Sequence, residues 1–150
     1  MVDRRLLTFE FIFMIVQIFQ NCPQLEYLKV EFIRVLCVEE LTNVFKPTTN
    51  ILDVKLTWIG RAPTKEVFPL FTRWPHLRRL RLMLYRPNIP VNVQAKEIRD
   101  FILETKNLTH LHINDWFDHV RLESLEKTVK DLVEPHRPGF FVKLGCLEVP

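Results

Sequence analysis

The chain has 150 residues, 47% hydrophobic and 26% charged, with a formal net charge of +3. That balance fits one globular domain, speaks against a disordered chain, and lacks the strong basic bias of a nucleic-acid binder. Its three cysteines, Cys22, Cys37 and Cys146, form no CxxC pair, which argues against a disulfide framework or zinc site and for reduced thiols in a cytoplasmic or nuclear setting.

Helical and extended patterns alternate along the chain. From Leu6 to Phe19 eleven of fourteen residues are apolar, behind Arg4 and Arg5. The run is too short to span a bilayer, Glu10, Gln17 and Gln20 interrupt it, and no small-residue cleavage site follows. It reads as a core helix over 6–20, ended at Pro23. A strand is expected over 26–32, with Leu28, Val30 and Phe32 on one face, then a short helix over 38–45. A second strand follows over 52–58, with Val54, Leu56 and Trp58 inward. Residues 64–73 carry a helical pattern that contains Pro69, and 78–84 alternate as a third strand. The insertion Arg86-Pro87-Asn88-Ile89-Pro90 precedes the best-defined helix, with Asn92 or a neighbour as cap and Ala95, Ile98, Phe101 and Ile102 as its stripe. A fourth strand is expected over 109–114. A helix over 120–134, stopped by Pro135, and a last strand over 145–149 complete the chain.

One phrase recurs five times: Leu25-x-x-Leu28-x-Val30, Ile51-x-x-Val54-x-Leu56, Leu77-x-x-Leu80-x-Leu82, Leu108-x-x-Leu111-x-Ile113 and Leu144-x-x-Leu147-x-Val149. The first three copies lie 26 residues apart, and later gaps widen to 31 and 36. Such a period predicts an α/β leucine-rich-repeat solenoid of four to five degenerate repeats, with a parallel concave sheet and outer helices over residues 1–150. Solenoids carry polar caps on terminal repeats, whereas helix 6–20 is apolar nearly all round. The expectation is a fragment or truncated chain, preceded by further repeats or a cap.

Asn21-Cys22-Pro23-Gln24-Leu25-Glu26-Tyr27-Leu28-Lys29-Val30 resembles the helix-end-to-strand phrase of F-box/leucine-rich-repeat proteins. Arg73-Trp74-Pro75-His76-Leu77-Arg78-Arg79-Leu80-Arg81-Leu82 and Thr105-Lys106-Asn107-Leu108-Thr109-His110-Leu111 resemble it more loosely. The resemblance implies substrate recognition for a cullin-linked ubiquitin ligase. No F-box lies in this chain, so cullin-ligase components are expected as partners only if one lies outside it. The family's Asn or Cys after each strand is replaced by Ile33, Ile59, Tyr85 and Trp116, which makes the repeats degenerate.

Strand alternation also predicts the free face. With Leu28 and Val30 inward, three ladders face outward: Tyr27, Asp53, Arg79, His110, Cys146; Lys29, Lys55, Arg81, His112, Glu148; and Glu31, Thr57, Met83, Asn114. The cations of the second ladder suit an acidic or phosphorylated protein partner, and a solvated face neutralised by Asp53, Glu31 and Glu148 is the plain alternative. The expected partner contacts are Lys29, Lys55, Arg79, Arg81, His110 and His112, with Tyr27 and Met83 as apolar anchors.

His110-x-His112 is a poor start for a metal site, because neighbouring cations oppose it. No nucleophile motif, phosphate loop or paired-carboxylate signature is present, so neither an enzyme nor a cofactor is expected. The sequon at Asn107 overlaps a core strand and reads as chance. The function expected is protein recognition, with a stand-alone scaffold or inhibitor-type binding protein as the alternative. A nucleic-acid-binding module comes third, since +3 is mild and the aromatics sit on core faces. No membrane association is expected.

Overall fold

A computed structural model describes residues 21–33, 50–59, 68–72, 74–85, 94–114 and 122–145. The helices expected over 6–20 and 38–45, the insertion at 86–90, Asn92 and Trp116 lie outside these residues. The elements run β1 (Tyr27–Ile33), β2 (Asp53–Ile59), α1 (Phe68–Thr72), β3 (Arg79–Tyr85), α2 (Ala95–Glu104), β4 (His110–Asn114), α3 (Leu122–Val133) and β5 (Phe141–Leu144). The strands form one five-stranded sheet in the order β1-β2-β3-β4-β5. Every neighbouring pair is parallel, so the class is α/β. No helix among the described residues is long and apolar enough to cross a membrane.

Alternation decides which side of the sheet is core. Leu28, Val54, Leu80, Leu111 and Val142 are successive cross-strand partners and form one apolar row. Leu56, Leu82, Ile113 and Leu144 form the next. Every member of both rows is 6% exposed or less. Burying such a side chain stabilises the fold by about 2 kcal/mol. All three described helices contribute to the same cluster, through Phe68 and Phe71, through Ile98, Phe101 and Ile102, and through Val129 and Val133. Phe68 stacks on Phe101 with ring centroids 4.9 Å apart, which ties α1 to α2.

The residue that opens the second, third and fourth repeated phrases is buried just ahead of its strand, at Ile51, Leu77 and Leu108. A backbone joint recurs beside it. The amides of Leu52 and Asp53 share the Glu26 carbonyl at 2.8 and 3.1 Å, those of Arg78 and Arg79 share Leu52, and those of Thr109 and His110 share Arg78. Asparagine stitches alternate turns together, because proline lacks an N–H but keeps its carbonyl. Asn50 Nδ2 donates to the Pro23 carbonyl at 2.5 Å, and Asn107 Nδ2 donates to that of Pro75. The sequon asparagine therefore has a structural task.

The last strand departs from expectation. β5 is Phe141–Leu144 instead of 145–149, and its partners are His110 to Ile113. Gly145 is already a bend, and residues 146–150 lie outside the described set. The structural phrase is thus Gly139-x-x-Val142-x-Leu144, and Val142 follows Leu111 by 31 positions, as Leu111 follows Leu80. Gly139 has no side chain to bury, and Phe140 packs against the core beside it.

Helix α1 covers Phe68–Thr72, and residues 64–67 and 73 of the expected helix lie outside the described residues. Pro69 sits in its first turn, where no amide hydrogen bond is lost. Helix α2 begins after Gln94, whose amide donates to Glu97 Oε2 at 3.2 Å. Helix α3 stops at Val133, two residues before Pro135, as a proline ahead requires.

Arg137 holds the exit of α2. Its Nη1 donates to the carbonyls of Ile102 at 2.7 Å and Thr105 at 2.9 Å. Its Nη2 reaches Lys106 at 2.7 Å and also the Leu108 carbonyl. The last carbonyls of a helix have no partner within it and carry the negative end of its dipole, so a fixed cation there stabilises the turn. Arg137→Ala is expected to cost about 2 kcal/mol in urea unfolding, since carbonyls on a partly buried turn lose a charged donor. Arg137→Lys should recover only part of that, because an ammonium cannot span the same fork.

Candidate functional site

The sheet face opposite the helices carries the polar residues. Cross-strand pairing places Tyr27, Asp53, Arg79, His110 and Phe141 in one row and Lys29, Lys55, Arg81, His112 and Lys143 in the next. Thr57, Met83 and Asn114 form a third. Glu31 falls where the β1 register shifts and has no cross-strand partner. The fifth positions of the two longer rows are therefore Phe141 and Lys143, where Cys146 and Glu148 were expected, and those two residues lie outside the described residues. This correction changes the chemistry, since the cationic row closes on a lysine where a carboxylate was expected.

The sequence-predicted contacts are brought together but differ in access. Tyr27 is 48% exposed, and Lys29 and Arg79 are exposed with it. Lys55, Arg81, Met83 and His110 are half-buried. His112 is only 4% exposed, so it belongs to the floor of the face and is not a free contact. Phe141 was missed by sequence reasoning, and at 44% exposure it matches Tyr27 at the other end of the row.

Asp53 organises the face. Its Oδ1 accepts from Arg81 Nη2 at 3.1 Å, and its Oδ2 lies 3.9 Å from Arg79 Nη1. Tyr27 Oη sits 3.5 Å from the same Arg81 nitrogen. Pairs this open contribute at most ~1 kcal/mol, so their effect is to orient Arg81 more than to hold the fold. Arg81 Nε and Asn114 Oδ1 are buried and meet no hydrogen-bond partner.

Glu126 on α3 guards the β5 edge. The amides of Phe141 and Gly145 point to β4, so that of Leu144 points away from the sheet. Glu126 Oε2 accepts it at 3.0 Å, while Lys130 Nζ holds Oε1 at 2.7 Å and Lys143 lies 3.8 Å off. Burial pushes the Glu126 carboxyl up, but these donors and charges outweigh it and hold its pKa below the usual value.

His112 Nε2 lies 2.9 Å from the Gly145 carbonyl. A carbonyl only accepts, so Nε2 carries the proton of a neutral ring. Gly145 adopts φ 101°, a left-handed conformation that favours glycine, where the chain leaves β5 for this contact. Burial pushes the His112 pKa below its ordinary 6.5, and the charges of Lys143, Arg81 and Lys55 push the same way against the Gly145 hydrogen bond. Near and below that value the unfolded imidazole takes a proton that the folded one refuses. Stability is therefore present above pH 6.5 and falls as pH drops through the window beneath it. Urea midpoints at pH 7.5 and 5.5 should show this loss, and His112→Gln, which keeps an N–H donor, should reduce it.

His110 faces Thr109, with Oγ1 to Nδ1 at 2.8 Å, and its ring lies tilted on Phe141 at 5.3 Å between centroids. Among the described residues no group of three His, Cys, Asp or Glu is placed to hold a metal ion. A separate groove of about 330 Å³ runs between α1 and α2, lined by Phe68, Pro69, Phe101, Glu97, Asp100 and Glu104. None of the sequence-predicted contacts lines it. Comparison with known proteins finds no matching family model and no matching curated protein.

Proposed function

We propose that the chain is a leucine-rich-repeat solenoid whose function is protein recognition through the open sheet face. The observation that carries this reading is the in-register row Lys29, Lys55, Arg81, His112 and Lys143, beside a row that begins in Tyr27 and ends in Phe141. Tyrosine, arginine and phenylalanine on one rigid patch are the residue types from which protein interfaces draw their energy. The solenoid part rests on the recurring phrase, the shared backbone joints and the all-parallel pairing.

A place in a cullin-linked ligase rests on the resemblance of the segment Asn21 to Val30, and it requires an F-box outside this chain. The test is affinity purification from the protein's own cells, wild type against Lys55→Glu/Arg81→Glu, with mass spectrometry of what co-purifies. The reading expects specific partners with the wild type that disappear from the charge-reversed variant, whose circular dichroism stays unchanged. Recovery of the same partners with both would contradict it. A cullin and its adaptor among the proteins recovered would place the chain in a ligase, and their absence would leave a free recognition scaffold.

A further inference from the structure

The inference drawn here rests on the reading of the sheet face as a recognition surface and names what that face takes. We infer that its ligand is an extended acidic segment of a partner protein, lying across the strands, with an apolar residue at each end.

Charge supplies the first argument. Among the described side chains of the first two rows, Lys55, Arg79, Arg81 and Lys143 outnumber the carboxylate of Asp53. Glu126 offsets Lys143 from the helix side. Lys55 is the cross-strand partner of both Lys29 and Arg81, so the fold places like charges directly opposite one another. That arrangement opposes folding, and an anionic ligand relieves it. Asp53 already shows how a carboxylate is taken, between Arg79 and Arg81. A ligand carboxylate above them meets the same guanidinium groups, which favour oxyanions.

The ends supply the second argument, independent of charge. Tyr27 and Phe141 are the large hydrophobic residues left exposed among the described set. They occupy the two outermost of the described strands and the same row. Strands ~4.8 Å apart put roughly 19 Å between β1 and β5, and an extended chain rising ~3.3 Å per residue covers that in about seven residues. A segment crossing the strands cannot join the sheet's hydrogen bonding, so side chains carry its affinity. Arg81, on the central strand and in the adjoining row, lies beside the middle of this path. Nucleic acid fits less well, because the exposed aromatics stand at the ends of the row and are not interleaved with the cations as stacking platforms need.

The test uses the full chain and fluorescence anisotropy. The probe is a labelled peptide of roughly seven residues with leucine at each end and glutamates between. Controls carry lysines in the middle or serines at the ends, and a short single-stranded oligonucleotide serves as the competing class. The acidic peptide should bind and weaken about tenfold from low to physiological salt. Tyr27→Ala/Phe141→Ala should weaken it about tenfold, to the level of the serine-ended control. Lys55→Glu/Arg81→Glu should abolish it. Equal binding of the lysine peptide, indifference to the charge reversal, or preference for the oligonucleotide would overturn the inference. If the charge reversal removes cellular partners while no acidic peptide binds, the ligand assignment fails and the recognition face stands. If partners also survive the reversal, both fail.

Discussion

Parallel pairing in fixed register is the constraint on which the rest of this protein depends. Because side chains alternate along a strand, a slip of one residue in any pair would turn its apolar residues outward and its charges inward. The row Leu28, Val54, Leu80, Leu111 and Val142 prevents this by burial. The same register sets Lys55 directly between Lys29 and Arg81. Like-charge pairs on an open sheet cost up to ~1 kcal/mol each. Burial of one aliphatic side chain returns about 2 kcal/mol, so the core wins and the cations remain aligned. The charged face is a consequence of how the apolar face packs.

Short polar devices then fix what packing leaves loose. Carbonyls of Glu26, Leu52 and Arg78 each accept two amides from the following turn, so successive strands begin at the same level. Arg137 fastens the end of α2, and Glu126 covers an outward amide of the edge strand. Edge amides left open invite pairing with other chains, and a carboxylate there discourages it. These contacts make the sheet a rigid support, which is what a recognition face needs to avoid losing affinity to ordering.

Much of this was legible in the sequence. Strand positions for β1 to β4 differ from expectation by one residue, because a period of two with buried leucines leaves little choice of register. The two outer rows were legible in their first four members for the same reason. The final strand was misplaced because Leu144-x-x-Leu147-x-Val149 satisfies the phrase better than Gly139-x-x-Val142-x-Leu144, whose first position has no side chain. That error concealed Phe141 and Lys143, although Phe140 to Leu144 does alternate. His112 was read as a free contact because alternation reports the face of a strand and not what bends over it. His112 is 4% exposed, and its ring meets the Gly145 carbonyl, where the chain leaves β5. Arg137 had no signal at all, since backbone carbonyls leave no mark on a sequence.

The central claim is that recognition occurs on the sheet face and not on the helices. Lysine-reactivity footprinting of the complex with its cellular partner tests it most directly, because lysines mark both sides. Lys29, Lys55 and Lys143 lie on the sheet face, whereas Lys96 and Lys127 lie on helices and Lys106 on the turn after α2. The account predicts that partner binding slows acetylation of the first three and leaves the others unchanged. Protection of Lys96, Lys106 and Lys127 with the sheet lysines unaffected would contradict it.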